Sequence, residues 1–269
     1  MDEALEDARF LAGSSNRVAA LDVLASGPTS RDELSSSVDA SKGTIRRILR
    51  DFEDRGWVEQ EGATYTTTEA GETIAVEFTC LLDTIRATYR LDGAQEWLPT
   101  DALGFGLDRL ADARVTLPQE DHVITPLDRM DALVRDASVS RIFSPGVSIS
   151  TVSANRDAVV ENGQQMELVL TERVVSTIVE RSDLAAMMRD MVETGRVTVF
   201  EIENDVPPMT LCILDGVVVL GLIGNGLPVG VVESSDEIVR QWADEFFEDK
   251  QERGDELPAT AFSSGSGTR

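Results

Sequence analysis

Apolar residues recur at helical spacing in some stretches of the chain and at strand spacing in others, and the order of these stretches outlines its architecture. Over residues 15–25, Val18, Leu21, Leu24 and Ala25 line one helical face, and Gly27-Pro28 ends the pattern. Leu34 and Val38, four apart, give a second helix its apolar side, with Thr29 or Ser30 as its cap. Asp39-Ala40 predicts a turn and Ser41 the N-cap of a third helix. There Ile45, Ile48, Leu49 and Phe52 fall at i, i+3, i+4 and i+7, one buried stripe. At about 100° per residue, Lys42, Gly43, Arg46, Arg47 and Arg50 fall on the opposite face. Gly56-Trp57 closes that helix, and residues 58–61 and 64–68, rich in Thr and Tyr, read as two strands around Gly62-Ala63. Helix, helix, turn, helix and hairpin predict a winged helix-turn-helix over residues 1–67, with Trp57 completing its small core.

Residues 68–91 continue as one long helical pattern, with Ile74, Phe78, Leu81, Leu82, Ile85 and Tyr89 on a single stripe. Helix-turn-helix proteins commonly bind as dimers across two half-sites, so this stripe predicts pairing with a second copy. A plain connecting helix is the alternative. Residues 93–99 break the pattern, residues 101–111 suggest another short helix, and 68–112 is expected to form a helical linker. From about Arg114 strands and helices alternate. Residues 115–117 and 122–125 read as extended pieces. Pro126 opens a helix to about residue 137, with Leu127, Met130, Leu133 and Val134 inward. Strands at 140–144, 166–171 and 196–203 are separated by helices at 148–162 and 172–194, the second interrupted near Ser182-Asp183. Three further strands, 209–214, 217–223 and 228–233, turn at Asp215-Gly216 and Gly224-Asn225-Gly226. A final helix over 236–252 turns Ile238, Val239, Trp242, Phe246 and Phe247 inward. This order predicts an α/β domain with a mixed sheet over residues 113–257, so the chain combines α+β and α/β character. The Ser/Gly-rich residues 258–269 predict a disordered tail.

Charge sharpens the first domain's reading. The 269-residue chain holds 49 acidic and 24 basic residues, for a net charge of −25. The stretch from Lys42 to Arg50 nevertheless carries four positive charges and no acid. Nucleic-acid phosphate is the obvious reason for that inversion. Ser41, Lys42, Gly43, Thr44, Arg46, Arg47 and Arg50 are therefore expected in the major groove of duplex DNA. Gly62, Thr64 and Tyr65 of the wing would lie against the backbone or minor groove. The acidic surface, with lysine only at 42 and 250, resembles proteins of extreme halophiles. At molar salt the screening length is about 3 Å, so direct contacts must carry more of the binding.

Other chemistries find little support. No apolar run approaches the ~20 residues of a membrane span, and the acidic N-terminus lacks a signal-peptide pattern, so a cytoplasmic protein is expected. Cys80 and Cys212 read as buried thiols, and a lone His122 with no Cys/His spacing offers no zinc-site pattern. Neither GxxxxGK[ST] nor a GxGxxG in the right setting occurs, so neither cofactor nor metal is expected.

The element order, with VFEIENDVPPMTLCILDGVVVLGLIGNGLPVGVVESSDE over residues 199–237, resembles a group of archaeal and haloarchaeal transcriptional regulators. They are the TrmB-like sugar-responsive regulators and the related TbsP-type group with a methanogenesis-regulator-type middle domain. The resemblance implies a sequence-specific regulator of metabolic genes, central carbon metabolism among them. Binding to a promoter palindrome as a homodimer is expected of a helix-turn-helix protein, and repression is the commoner outcome for a compact winged dimer that covers a promoter, though the residues themselves do not give the sign. The resemblance also implies a C-terminal domain shaped like half of a phospholipase D. Phospholipase chemistry needs an H-x-K pair, whereas His122 is followed by Val123-Ile124, so no enzyme is expected. Ligands of open α/β sheets sit outside the carboxyl ends of the strands. Ser144, Gly146, Ser148, Thr171, Arg173 and Asn204 are thus expected to hold a small anion such as a sugar phosphate, with a helix N-terminus and Arg173 as its partners. Capping of helices and turns is the plainer role for the same residues. A different class of function, a protein-interaction adaptor using the winged helix and the acidic body, predicts DNA affinity indifferent to Arg46 and Arg50.

Overall fold

The computed structural model describes residues 2–224 and 226–263. The chain divides into two compact units, at Asp83 and Thr84. In the first, helices α1 (Glu3–Ala12) and α2 (Ser15–Ala25) precede a short strand β1 (Thr29–Ser30). Helices α3 (Arg31–Ser37) and α4 (Lys42–Glu53) follow, then strands β2 (Val58–Glu61) and β3 (Thr64–Thr67), and α5 (Glu69–Arg90) leads onward. The strands form an antiparallel sheet in the order β1-β3-β2. Ser30 and Glu33 make a reciprocal capping box that starts α3. Asp39 occupies the left-handed region (φ 51°), which lets the chain reverse between α3 and α4. Ile45, Ile48, Leu49 and Phe52 are buried as their spacing predicts, with Leu21, Leu24, Leu34 and Trp57 around them.

Helix α1 has no counterpart in the sequence reading. Asp2 caps it, Leu11 is buried, and Phe10 meets Phe52 and Trp57 edge-on at 6.2 and 6.1 Å. The guanidinium groups of Arg17 and Arg55 lie 3.9 and 3.7 Å from the centre of the Phe10 ring. Arg55 also pairs with Asp7 at 2.9 Å. The start of α5 lies hard against Trp57: a Cβ on Gly71 would come 1.9 Å from the Trp57 carbonyl oxygen.

The second unit begins within α5. A 3-10 turn, Gln95–Trp97, follows the break after α5, and two more, Thr100–Ala102 and Leu107–Leu110, stand where one short helix was expected. Next come β4 (Arg114–Thr116), α6 (Thr125–Asp136), β5 (Val139–Ser144) and α7 (Ile149–Arg156), which runs on as a π turn, Asp157–Glu161. Then follow β6 (Gln165–Thr171), α8 (Glu172–Glu180), α9 (Ser182–Glu193), β7 (Val197–Ile202), β8 (Met209–Leu214), β9 (Val217–Gly224), β10 (Leu227–Ser234), α10 (Glu237–Glu252) and β11 (Asp255–Glu256). Eight strands form one mixed sheet, ordered β11-β7-β6-β5-β8-β9-β10-β4. Strands β5, β6 and β7 are parallel, joined through helices as parallel pairs must be, and every other pairing is antiparallel. Successive residues alternate between two cores. Ile142, Leu168 and Cys212 face the side of α6 to α9, while Phe143, Val169 and Leu211 face α10.

Four expectations change. The expected linker of residues 68–112 is shared between the cores: Ile74, Ala75 and Phe78 pack in the first, Ala87, Leu91, Leu98 and Leu110 in the second. Residues 122–125 form a turn and the start of α6, not a strand, with one bridge between Gln119 and His122. Ile238 is exposed, because α10 buries only Val239, Ala243 and Phe247 fully. The chain stays ordered past Pro258, since the 3-10 turn Ala259–Phe262 inserts Phe262 into the core of α6 to α9 with no exposed surface. Residues 264–269 of the expected tail, and Asn225 of the expected Gly224-Asn225-Gly226 turn, lie outside the described residues.

Candidate nucleic-acid interface

Helix α4 begins at Ser41, whose hydroxyl accepts the Thr44 backbone N–H at 3.2 Å and meets the Thr44 hydroxyl at 2.9 Å. The predicted contact residue Ser41 therefore also caps the helix, with Thr44 as its partner. Opposite the buried stripe, Gly43, Arg46, Arg47 and Arg50 are exposed. Among the described residues none of these three arginine side chains has a hydrogen bond or ion pair, so their charge is available to a ligand. With Arg31, Gln60 and Tyr65 they line one concave surface of about 580 Å³. Its single acid is Glu53. Lys42 differs: its ammonium lies 2.9 Å from the Asp32 carboxylate and holds that carboxyl below its ordinary range. Both partners are exposed, so the pair is worth little and would exchange readily for phosphate. Gly62 turns the hairpin at φ 62°, and Thr64 and Tyr65 are half-buried. Arg31 and Gln60 escaped the sequence reading because other elements carry them to the face of α4.

The stripe of α5 splits in use. Ile74 and Phe78 pack on the first core, Leu82 is half-buried, and Leu81, Ile85 and Tyr89 are exposed, Tyr89 to 79%. The three exposed residues are spaced four apart and so share one face.

The six residues expected to hold an anion do not converge on one. Ser144 and Gly146 line a cavity at the carboxyl end of β5. Ser148 caps α7 by accepting the Thr151 N–H at 3.2 Å. Thr171 is wholly buried with its hydroxyl unpartnered. The Arg173 backbone N–H is taken by Asn204 Oδ1 at 2.9 Å, and Asn204 donates in turn to Glu172 at 3.0 Å. That neighbourhood is acidic: burial first, then Glu172 and Asp255, push the Glu201 carboxyl above its ordinary range. A field that disfavours one more negative charge does not favour an anionic ligand.

His122 is exposed, 2.7 Å from Asp128 one turn into α6, and the two residues that follow it are Val123 and Ile124. Among the described residues no group of His, Cys, Asp and Glu could hold a metal ion, and no helix is long and apolar enough to cross a membrane.

Residues 5–90 match the model of the HVO_A0261 N-terminal domain, and residues 124–253 match the middle domain of the methanogenesis regulatory protein FilR1. The chain thus carries, in order, a region similar to the HVO_A0261 N-terminal domain and a region similar to the FilR1 middle domain, called below its HVO_A0261-type and FilR1-type domains. This bears out the resemblance to TrmB-like archaeal regulators. The first match ends at the last residue of α5, and the second runs from just before α6 to just past α10. No curated protein matches the chain. Among solved structures, the archaeal chromatin protein TrmBL2 is 14% identical over 93% of this chain and 98% of its own, with a TM-score of 0.42. Nuc, a phospholipase D family member from Salmonella typhimurium, is 13% identical over 54% of this chain and 97% of its own, also at 0.42. At these scores the likeness is one of broad outline.

Proposed function

We propose that the protein is a DNA-binding transcriptional regulator whose HVO_A0261-type domain reads a promoter and whose FilR1-type domain senses a small molecule. One observation carries the reading. Three unpaired arginines stand on the exposed face of α4, and Arg31 and the wing residues Gln60 and Tyr65 join them on one concave surface. The chain's net charge is −25, so a surface this rich in uncompensated cations is selective for a polyanion. A helix with an open face and a flanking hairpin has the geometry to enter a major groove.

The protein acts as a homodimer on a palindrome. The exposed face of Leu81, Ile85 and Tyr89 supports this, because apolar residues at that spacing on one helix suit a partner helix. Its acidic surface suits a cytoplasm of high salt, and repression of metabolic genes is the regulatory output proposed. The FilR1-type domain works by binding and not by catalysis, since no lysine follows His122 in the H-x-K spacing. Crosslinking and sequencing of bound DNA from native cells, on two carbon sources, tests the reading with Arg46→Ala/Arg50→Ala as control. Sharp peaks over a shared palindrome, lost in the control, are expected. Their absence on both carbon sources would refute it. Sedimentation of Leu81→Glu/Ile85→Glu tests the dimer: a monomer is expected, and an unchanged mass would place the interface elsewhere.

A further inference from the structure

The cavity at the carboxyl end of β5 lies between the sheet and helices α6 to α9. It encloses about 60 Å³, room for roughly four to six water-sized spheres, or a ligand of about five or six heavy atoms. Its walls are mostly aliphatic side chains and the two methionines Met130 and Met188, and no residue lining it carries a charge. Its polar atoms are few. The Ser144 hydroxyl is occupied, donating to the Gly146 carbonyl at 2.8 Å with the Thr210 hydroxyl 3.3 Å away. The Thr151 hydroxyl is occupied too, 2.9 Å from that of Ser148. The remaining polar wall is Asn155, of which 7% is exposed and whose side-chain oxygen has no hydrogen-bond partner.

A buried amide oxygen without a partner costs roughly 1–3 kcal/mol, and it can be satisfied only by a donor. Water fills such a site poorly, because each buried molecule needs two to four polar partners and most of this lining is apolar. An anion is excluded twice: no cation lines the cavity, and the waiting group is itself an acceptor. Asp131, buried beside Thr151 and Cys212, adds a carboxyl that burial holds above its ordinary range. A cationic ligand would have to shed its hydration into aliphatic walls, at a cost one amide oxygen does not offset.

We infer that this cavity is the sensing site of the FilR1-type domain, and that its ligand is a small uncharged molecule, mainly aliphatic, with a hydroxyl or amide donor to Asn155. The inference rests on the proposed function in calling the ligand a signal; the binding itself involves no DNA. It departs from the sugar phosphate suggested by the sequence.

Three probes of nearly one shape and different charge test it at neutral pH: isobutyramide, isobutyrate and isobutylamine. Methyl-13C methionine NMR reads the titration, since Met130 and Met188 line the cavity and Met130→Leu and Met188→Leu assign their signals. The expected result is a saturable shift at these two methyls with isobutyramide, at least tenfold tighter than with either charged probe. In Asn155→Leu, checked for folding by its melt, isobutyramide should bind about tenfold more weakly, the loss of one hydrogen bond. Preference for isobutyrate or isobutylamine would overturn the inference, as would no saturable shift with any probe. The wild-type series decides even if the variant does not fold. A failure here leaves the DNA-binding reading intact, because the titration contains no DNA.

Discussion

Replacing Arg50 with alanine, alone and with Arg46→Ala, separates base reading from simple charge attraction. Both side chains are exposed and unpaired, so their removal should leave stability within about 0.5 kcal/mol of wild type. If each guanidinium reads a base, each loss should cost about 1–3 kcal/mol, or roughly 5- to 150-fold in affinity. Four residues advance a helix by about 6 Å. That is about two base-pair steps of roughly 3.4 Å. The relaxed positions in the binding site should therefore lie about two base pairs apart, one for each arginine. If the side chains touch phosphate instead, affinity should fall for all sequences alike and the log-log salt slope should shrink by about one. Selection of bound sequences from a random duplex library, with wild type and both variants at two salt concentrations, reads position and slope together. Variants that fold like wild type and keep both its affinity and its sequence preference would refute the assignment of α4 as the reading helix.

Gly71→Ala should destabilise the first unit by roughly 1–3 kcal/mol, since its methyl would meet the rigid Trp57 carbonyl and force α5 off its seat; an unchanged melting temperature would contradict that packing. Phe262→Ala should cost about 3–5 kcal/mol in denaturant unfolding of the full chain, whereas a loose tail would give nothing measurable. Asp131→Asn should raise stability at neutral pH. Burial raises the native carboxyl's pKa, so the wild-type carboxylate costs stability as pH rises above the ordinary value of 3.8, and the gain should vanish below it. A gain independent of pH would point to packing instead of ionisation.

Helix α4 was legible because its information is local. Its buried stripe and its charged face are both set by spacing within twelve residues. Arg31 and Gln60 were not legible, because only tertiary folding brings them to that face. Helix α1 was hidden by its own composition: Asp2, Glu3, Glu6 and Asp7 give the segment a solvated look, and only Leu11 is fully buried. The alternation of strands and helices disclosed the mixed sheet, and the carboxyl-end rule led to Ser144 and Gly146. Asn155 could not be found this way, since an unpaired amide is a property of packing. Phe262 was masked by the Ser/Gly-rich residues after it, although an aromatic in such company is the one signal that could have located the anchor.

Asp215 turns the β8–β9 hairpin in the left-handed region (φ 47°), and its carboxylate accepts the backbone N–H groups of Ser138 and Val139, each at 2.9 Å. The clamp thus holds the first residue of β5 to a turn made 76 residues later. On the ribosome, β5 and β6 can pair as soon as β6 itself has followed α7. The other edge of β5, with Ile142 and Phe143, has no neighbour until β8 emerges. For that interval the nascent chain presents an open hydrophobic edge, the kind other chains can add to. Vectorial synthesis therefore sets a window of vulnerability in the middle of this sheet, and arrival of the β8–β9 hairpin closes it in one step, edge and register together.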